Sequence, residues 1–451
     1  MKVVINDKIT MVFNVSKGSV KLYSDNGTLQ PSWLEDARIA RRDVKSIQVV
    51  KGTIFLPEDS SGFKTKEWRH TMFGGLSKLK LLCLNGFNTS NVTDMSYMFS
   101  GCESLTNIDL SGFDTSNVTD MSEMFSKCHD LTSLDLSSFD TSNVKYMDNM
   151  FFGCESLEDL NLNGFNTSNV MDMNSMFYNC YSLTCLDLSS FDTSRVMAMA
   201  NMFLGCSGIT SLDLNNFDTS KVSDMAGIFM NCRKLTSINL SSFDTSNVTN
   251  MGYMFFYCDS LTDFNIKKFN TSKTTCMNWM FGYCEQLTDL DLSSFDTANV
   301  INMNRMFCEC KNLKRINLSG FDTSNVIDMG EMFKGCRNLT ELDLKNLSTP
   351  CVTHMYAMFY NCESLIDLDL RNFDTSKVVT MESMFHGCGK LTELDLSSFD
   401  LSSAVNMSEM FRRCRKLKKI IMQPVICPNT NTTGMFKKCS PKLVCVSTGP
   451  I

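Results

Sequence analysis

Histidine, proline and tryptophan are scarce in this chain of 451 residues, which holds four, seven and three of them. The shortage of histidine narrows the chemistry at once. His70, His129, His354 and His386 do not complete a ligand set at the spacings zinc sites use, and there is no C-x-x-C pair. Between residues 58 and 423 the only proline is Pro350. Proline interrupts strand ladders and helix interiors alike, so its near absence leaves one uninterrupted array with no linker inside it. No apolar run approaches the roughly 20 residues of a membrane-spanning helix. The start of the chain lacks the basic and apolar stretches of a secretory signal, and no cysteine lies early enough for a lipid anchor. The expectation is a soluble chain without an export address. Catalytic motifs are missing too. There is no H-E-x-x-H, no non-repeating Ser/His or Cys/His set, and Gly387-Cys388-Gly389-Lys390 lacks the earlier glycine and the following Ser/Thr of a phosphate loop.

What the sequence has in excess is repetition. Between Cys102 and Cys414 a cysteine returns every 26 residues without a slip. A unit this short cannot bury its own apolar face and must stack on its neighbours, so the period predicts a solenoid. In one copy, Leu134 and Leu136 alternate with Asp135, which predicts a short strand with the leucines inward and the aspartate outward. Val144, Met147, Met150, Phe151 and Cys154 then follow the spacing of one helical face. Between them Asp140-Thr141-Ser142-Asn143 supplies turn formers or helix N-caps. The expected coil is therefore strand, turn and short helix. The expected fold is an α/β solenoid with a parallel sheet on one face. Worn copies flank the array at Met72-Phe73-Leu76 and Met435-Phe436-Cys439. At about 4.8 Å per coil, roughly fifteen coils give a body on the order of 70 Å long.

Residues 1–70 lack the period, hold Trp33 and Trp68, and carry strand-like runs at Ile47–Val50 and Thr53–Leu56. They read as an N-terminal cap, 71–440 as the solenoid and 441–451 as a tail. Charge is uneven across these parts. Residues 71–411 carry 21 Lys+Arg against 41 Asp+Glu, residues 1–70 carry 12 against 8, and residues 412–451 carry 9 against none. An acidic body repels nucleic acid and anionic membranes and favours cationic partners or metal ions. The basic end, with Arg412, Arg413, Arg415, Lys416, Lys418 and Lys419, reads either as a docking patch or as a solvated end that blunts stacking.

Of 21 cysteines, fourteen lie on the ladder, counting Cys439, and seven lie off it: Cys83, Cys185, Cys276, Cys308, Cys351, Cys427 and Cys445. Ladder cysteines are expected as buried, reduced thiols. In twelve successive coils an Asp or Asn stands between the two apolar strand positions. The aspartates are Asp109, Asp135, Asp187, Asp213, Asp291, Asp343, Asp369 and Asp395. Carboxylates stacked about 4.8 Å apart repel by roughly 1 kcal/mol per pair in water, so something must relieve them. One reading is relief by interposed Asn, Ser/Thr hydroxyls, water and counterions. The other is a binding stripe for a cationic protein surface or for Ca²⁺. A second polar row after each Phe, such as Asp114, Asp140 and Asp192 with Thr-Ser behind it, is read as corner capping and not as a water- or ice-ordering face.

The string FDTSNVTDMSEMFSKC, with LTSLDLSS before the next copy, resembles the 26-residue repeat of BspA-like leucine-rich-repeat surface proteins of bacteria, over about residues 72–440. The stretch Lys51-Gly52-Thr53-Ile54-Phe55-Leu56-Pro57 is similar to the lead-in of such arrays. The resemblance implies a right-handed, non-catalytic solenoid at the cell surface, used for adhesion or host contact through protein or glycan binding. It brings no catalytic residues, and beside it the charge and hydropathy of the residues themselves lead us to expect no nucleic-acid partner, no direct membrane insertion and no cofactor other than Ca²⁺. The alternative is an intracellular interaction scaffold or delivered effector, which the thiols and the missing export signal favour.

Overall fold

The computed structural model describes residues 1–60, 71–424 and 429–447. Trp68, His70 and Cys427 lie outside the described residues. Two compact units, residues 1–221 and 222–451, are taken in turn.

The first unit opens with β1 (Lys2–Asn6), β2 (Ile9–Asn14) and β3 (Ser19–Ser24), an antiparallel meander. After the two-residue β4 (Gly27–Thr28) comes the helix α1 (Trp33–Asp36), then a single 3-10 turn at Arg41–Asp43. β5 (Ser46–Lys51) and β6 (Ile54–Phe55) follow where the strand-like runs predict them. β5 lies parallel between β3 and β7 (Leu81–Cys83), and β6 lies parallel between β4 and β8 (Phe87–Asn88). The cap thus turns from antiparallel to parallel pairing before the repeats begin, and covers the first coil with matching backbone. Trp33 fixes it there: the ring is fully buried and its Nε1–H donates to the Met72 carbonyl at 3.0 Å.

In the repeats of this unit the strands are short: β9 (Ser133–Asp135), β10 (Asp159–Asn161) and β11 (Ser211–Asp213). β9 and β10 pair in parallel with Leu134 opposite Leu160, one repeat on. A second parallel ladder, one residue wide per coil, runs from Asp59 through Asp94, Asp120, Tyr146 and Asp172 to Ala198. Between the ladders the core is made of columns of identical residues. Phe73, Phe99, Phe125, Phe151, Phe177 and Phe203 stack ring on ring at 5.4–5.9 Å. Each fully buried Phe or Met side chain contributes roughly 1.5–3 kcal/mol, and each stacked aromatic pair about 0.5–1.5 more.

The second unit repeats the scheme. β12 (Ser237–Asn239) pairs with β13 (Asp263–Phe264), β14 (Asp289–Asp291) with β15 (Arg315–Asn317), and β16 (Glu393–Leu396) with β17 (Lys419–Met422), all parallel. β18 (Val444–Ser447), in the stretch read as a tail, adds a further parallel strand to β17. The narrow ladder runs here from Asp224 to Asn431, and the phenylalanine column from Phe229 to Phe411 has ring spacings of 5.4–5.8 Å.

The short helix expected in each coil is not there. Among the described residues the helical elements are the four residues of α1 and the three-residue 3-10 turn, both ahead of the repeats. The segment from Met121 to Cys128 shows why. Met124, Ser126 and Cys128 donate their N–H groups three residues back, whereas Met121, Glu123, Phe125 and Lys127 donate to Tyr146, Asp148, Met150 and Phe152 of the next coil. Glu123 and Lys127 sit at φ +52° and +59°, a left-handed conformation that no right-handed helix admits. Tight turns alternate with left-handed residues, so the apolar side chains still turn inward at helix-like spacing. Half of the N–H groups face the neighbouring coil instead. The fold is a parallel β-solenoid whose turn side is hydrogen-bonded between coils as fully as its strand side.

Candidate binding face on the strand side

Alternation along each strand places Leu134 and Leu136 in the core at 3% and 0% exposure and leaves Asp135 in solvent. All eight aspartates of the row, from Asp109 to Asp395, are exposed. Each is also a local cap: its Oδ1 accepts the N–H of the residue two positions on, as in Ser111 to Asp109 at 3.0 Å, Ser137 to Asp135 at 3.0 Å and Ser189 to Asp187 at 3.0 Å. Asp213 accepts from Asn215 and Asp395 from Ser397 in the same way. Hydrogen bonds from these serines hold the carboxyls of Asp109, Asp135, Asp187, Asp291 and Asp395 below the ordinary carboxylate range. At Asp343 and Asp369 the residue two on is Lys345 or Arg371, whose side chain does the same and brings Asp369 down to about 2. These seven carboxyls are ionised at neutral pH.

The two units relieve that charge differently. In the second, cations stand on the strand face: Lys267 lies 3.5 Å from Asp291, Lys345 2.9 Å from Asp343, Arg371 2.6 Å from Asp369 and Arg315 2.6 Å from Asp289. Asn317 adds a bond to Asp291 at 3.1 Å. In the first unit the interposed amide recurs, Asn161 Nδ2 to Asp135 Oδ1 at 2.9 Å, but among the described residues no Lys or Arg pairs with Asp109, Asp135, Asp159 or Asp187. A shallow depression lies on this uncompensated stretch, lined by Ser133, Asp135, Asp159, Asn161, Asn163 and Asp187. A comparable one in the second unit is lined by both signs, Asp367, Asp369, Glu393 and Asp395 with Arg371 and Lys419. Among the described residues no three His, Cys, Asp or Glu side chains converge as a metal set.

The second polar row is structural. Thr115, Thr141 and Thr167 are buried at 2% or less. Thr115 Oγ1 donates to the Asp140 carbonyl at 3.0 Å and accepts the Asp140 N–H at 2.8 Å, joining one corner to the next. The aspartates of this row cap the serine two residues on, as Asp140 does for Ser142 at 3.0 Å. The ladder cysteines from Cys102 to Cys414 are buried thiols outside any disulfide, Cys439 is half-buried, and Cys128, Cys154 and Cys180 each donate S–H to a phenylalanine carbonyl of the preceding coil at 3.2 Å. Burial pushes the Cys102, Cys154 and Cys388 thiols up to about 12.

One feature of the turn side escapes the sequence pattern. Tyr253, Trp279, Arg305 and Glu331 hold the same place in successive copies: Arg305 lies over the Trp279 ring at 4.8 Å and pairs with Glu331 at 2.6 Å. Beside them Tyr257 and Tyr283 stack at 4.3 Å under Arg233 at 4.9 Å. The ring faces are covered by one another and by guanidinium groups, so this cluster fastens coils together. Aligning the copies at their 26-residue spacing brings these residues into one column, the only signal of it.

A family model described as Mycoplasma protein of unknown function, DUF285, matches residues 69–184, 155–263, 234–346, 259–369 and 328–444. The chain belongs to this family. Successive matches of the DUF285 model overlap along the array, as a repeat requires, and agree with the resemblance carried by FDTSNVTDMSEMFSKC. No curated protein matches this DUF285 chain. Among solved structures it is similar to a leucine-rich repeat protein from Bacteroides ovatus, at 15% identity over 98% of each chain with a TM-score of 0.41. It is also similar to a leucine-rich cell surface protein from Faecalibacterium prausnitzii, at 14% identity over 100% of this chain and 95% of that one, TM-score 0.31. A leucine-rich repeat protein from Eubacterium ventriosum matches at 14% identity over 82% and 96%, TM-score 0.37.

Proposed function

We propose that this protein is a non-enzymatic repeat scaffold, displayed at the bacterial cell surface, that binds a cationic protein or glycan partner on the strand face of its first unit. One observation carries the choice of site. Asp109, Asp135, Asp159 and Asp187 are exposed and lack the cations that neutralise the equivalent face of residues 222–451. Carboxylates already paired lose a partner when a ligand arrives, whereas uncompensated ones gain one. Ca²⁺ is the competing ligand, because the same row supplies oxygen donors. Surface display rests on the resemblance to BspA-like proteins. No helix among the described residues is long and apolar enough to cross a membrane.

The test compares Asp135→Asn/Asp159→Asn/Asp187→Asn with Asp343→Asn/Asp369→Asn/Asp395→Asn on an array of basic proteins and glycans, with and without Ca²⁺. The first variant is expected to lose at least about tenfold in affinity and the second to stay within about twofold. Equal binding by the first variant and the native protein refutes the site. A loss seen only with Ca²⁺ present assigns the row to the ion. Display is tested separately by protease digestion of intact producing cells; protection until lysis would move the protein inside the cell and favour a scaffold or delivered effector.

A further inference from the structure

Five successive coils of the second unit carry a stripe of β-branched side chains at Ile301, Ile327, Thr353, Val379 and Val405. They are neighbours in space. The N–H of each donates to the carbonyl one repeat earlier, Ile327 to Ile301, Thr353 to Ile327, Val379 to Thr353 and Val405 to Val379, all at 2.9 Å. Val300, Val326 and Val352 beside them are fully buried, so alternation turns the stripe outward, and Ile301 and Ile327 are each 46% exposed. The same place holds Thr249 and Thr275 in the two preceding copies, and Thr93, Thr119 and Lys145 in the first unit. Isoleucine here is a departure from a polar pattern that the core does not require.

A groove of about 490 Å³ runs along this departure, with Ile301, Ile327 and Thr353 on one side and Asn299, Asn325, Cys351 and Lys377 on the other. Both asparagines are engaged: Asn299 Nδ2 donates to the Ser272 carbonyl at 2.7 Å and Asn325 Nδ2 to the Ala298 carbonyl at 2.8 Å. Cys351, in the same column, has no amide with which to repeat that bond. Lys377 stands in the last coil of the groove and is the one charged residue lining it. Its side chain is exposed, and Asp374 feels its charge from beyond ion-pair distance. The groove is therefore aliphatic along its length, with a single cation at one end.

We propose that this groove binds a free, unbranched fatty acid of medium chain length, its carboxylate on Lys377 and its tail along Ile327 and Ile301. Three coil steps of about 4.8 Å separate Lys377 from Asn299, giving about 14 Å, the reach of an extended chain of about ten carbons. Past Ile301 the stripe returns to the exposed Thr275, so a longer tail finds no further apolar wall. A glycan needs polar partners along its whole length, and here the amides are already engaged. An extended peptide sets the side chains of one face about 6.8 Å apart, out of step with coils at about 4.8 Å, whereas a polymethylene chain has no register to match. A stripe one side chain wide is also far from the roughly 800 Å² per partner that a stable interface with a second copy buries. This site belongs to the second unit and does not depend on the acidic row of the first.

The experiment titrates the full chain with hexanoate, decanoate and dodecanoate by isothermal titration calorimetry at neutral pH, each below the concentration at which it forms micelles. Decanoate is expected to bind at one site, at least about tenfold more tightly than hexanoate, because four further methylenes leave water. Dodecanoate should match decanoate within about twofold. Ile301→Thr with Ile327→Thr, which installs the residue that other copies carry, should weaken decanoate binding at least about tenfold while the circular dichroism spectrum holds. Lys377→Glu should weaken it at least about fivefold, and Val405→Thr, beyond the lysine, should stay within about twofold. Any of four results overturns the proposal: no saturable binding of decanoate, hexanoate bound as tightly, the isoleucine variant binding as well as the native protein, or a dimer in light scattering that the isoleucine variant dissolves. Sedimentation with phosphatidylglycerol vesicles in place of decanoate binding would overturn it too, and make the stripe a bilayer contact.

Discussion

Thr167 is fully buried, and its hydroxyl serves two neighbours at once: it donates to the Asp192 carbonyl and accepts the Asp192 N–H, both at 2.8 Å. Replacing it with valine keeps the shape and removes both bonds, leaving the part-buried Asp192 carbonyl and N–H without their partner at about 1–2 kcal/mol each. Thr167→Val is therefore expected to destabilise the protein by about 2–4 kcal/mol, whereas Ser168→Ala, at a half-buried corner position, should cost under about 1 kcal/mol. Urea midpoints followed by circular dichroism measure both, and equal midpoints would show that water replaces the threonine. The polar corner is legible in Asn166-Thr167-Ser168-Asn169. That the threonine turns inward is not, because the group it bonds belongs to the next coil and no single copy contains it.

The same limit explains the turn segment. Spacing of Val, Met, Phe and Cys reports which side chains point inward, and it fits an α-helix and a chain of tight turns equally well. Hydrogen bonding decides between them, and here alternate N–H groups reach the next coil. The left-handed positions carry only a faint signal, glycine at Gly153 and Gly205 but Lys127 and Asn179 at the same place in other copies. The strand, by contrast, is readable, since period-two alternation has one geometric meaning. The exposed aspartate row was readable for that reason. Its neutralisation by Lys345 and Arg371 in the second unit was not, since sequence neighbours need not point the same way. The turn geometry makes its own prediction. Ser175 sits at φ +53° and donates to the Ala200 carbonyl at 2.9 Å. Relief of left-handed strain outweighs or matches the entropy that glycine adds to the unfolded chain, so Ser175→Gly should leave stability level or raise it by up to about 1 kcal/mol. Valine, with its branched Cβ in that conformation, should cost about 1–3 kcal/mol. A helix would rank the two the other way, so the order of their thermal midpoints distinguishes the folds.

At the scale of the whole molecule, repetition turns a small residue effect into a collective one. From Cys102 to Cys414 every ladder thiol is buried, and burial pushes the Cys102, Cys154 and Cys388 thiols up to about 12 and those of Cys128, Cys180, Cys258 and Cys284 well up too. A thiol in the unfolded chain loses its proton near pH 8.5. Above that pH the unfolded state binds fewer protons than the folded one, so stability falls as pH rises, by about 1.4 kcal/mol per pH unit for each thiol until the folded value is reached. These slopes add along the array, because each coil contributes one such group. Stability should thus be nearly level between pH 7 and 8, so far as the thiols set it, and collapse steeply between about 9 and 10.5, with the half-buried Tyr97 hydroxyl, also raised, pulling the same way. Cys154→Ala with Cys180→Ala should be less stable at pH 7, from the lost packing and S–H bonds, yet lose stability less steeply with alkali. Urea midpoints of both proteins across this range test the account: parallel curves would mean that the thiols are not the groups that open the solenoid, whereas converging curves tie its alkaline limit to the cysteine ladder.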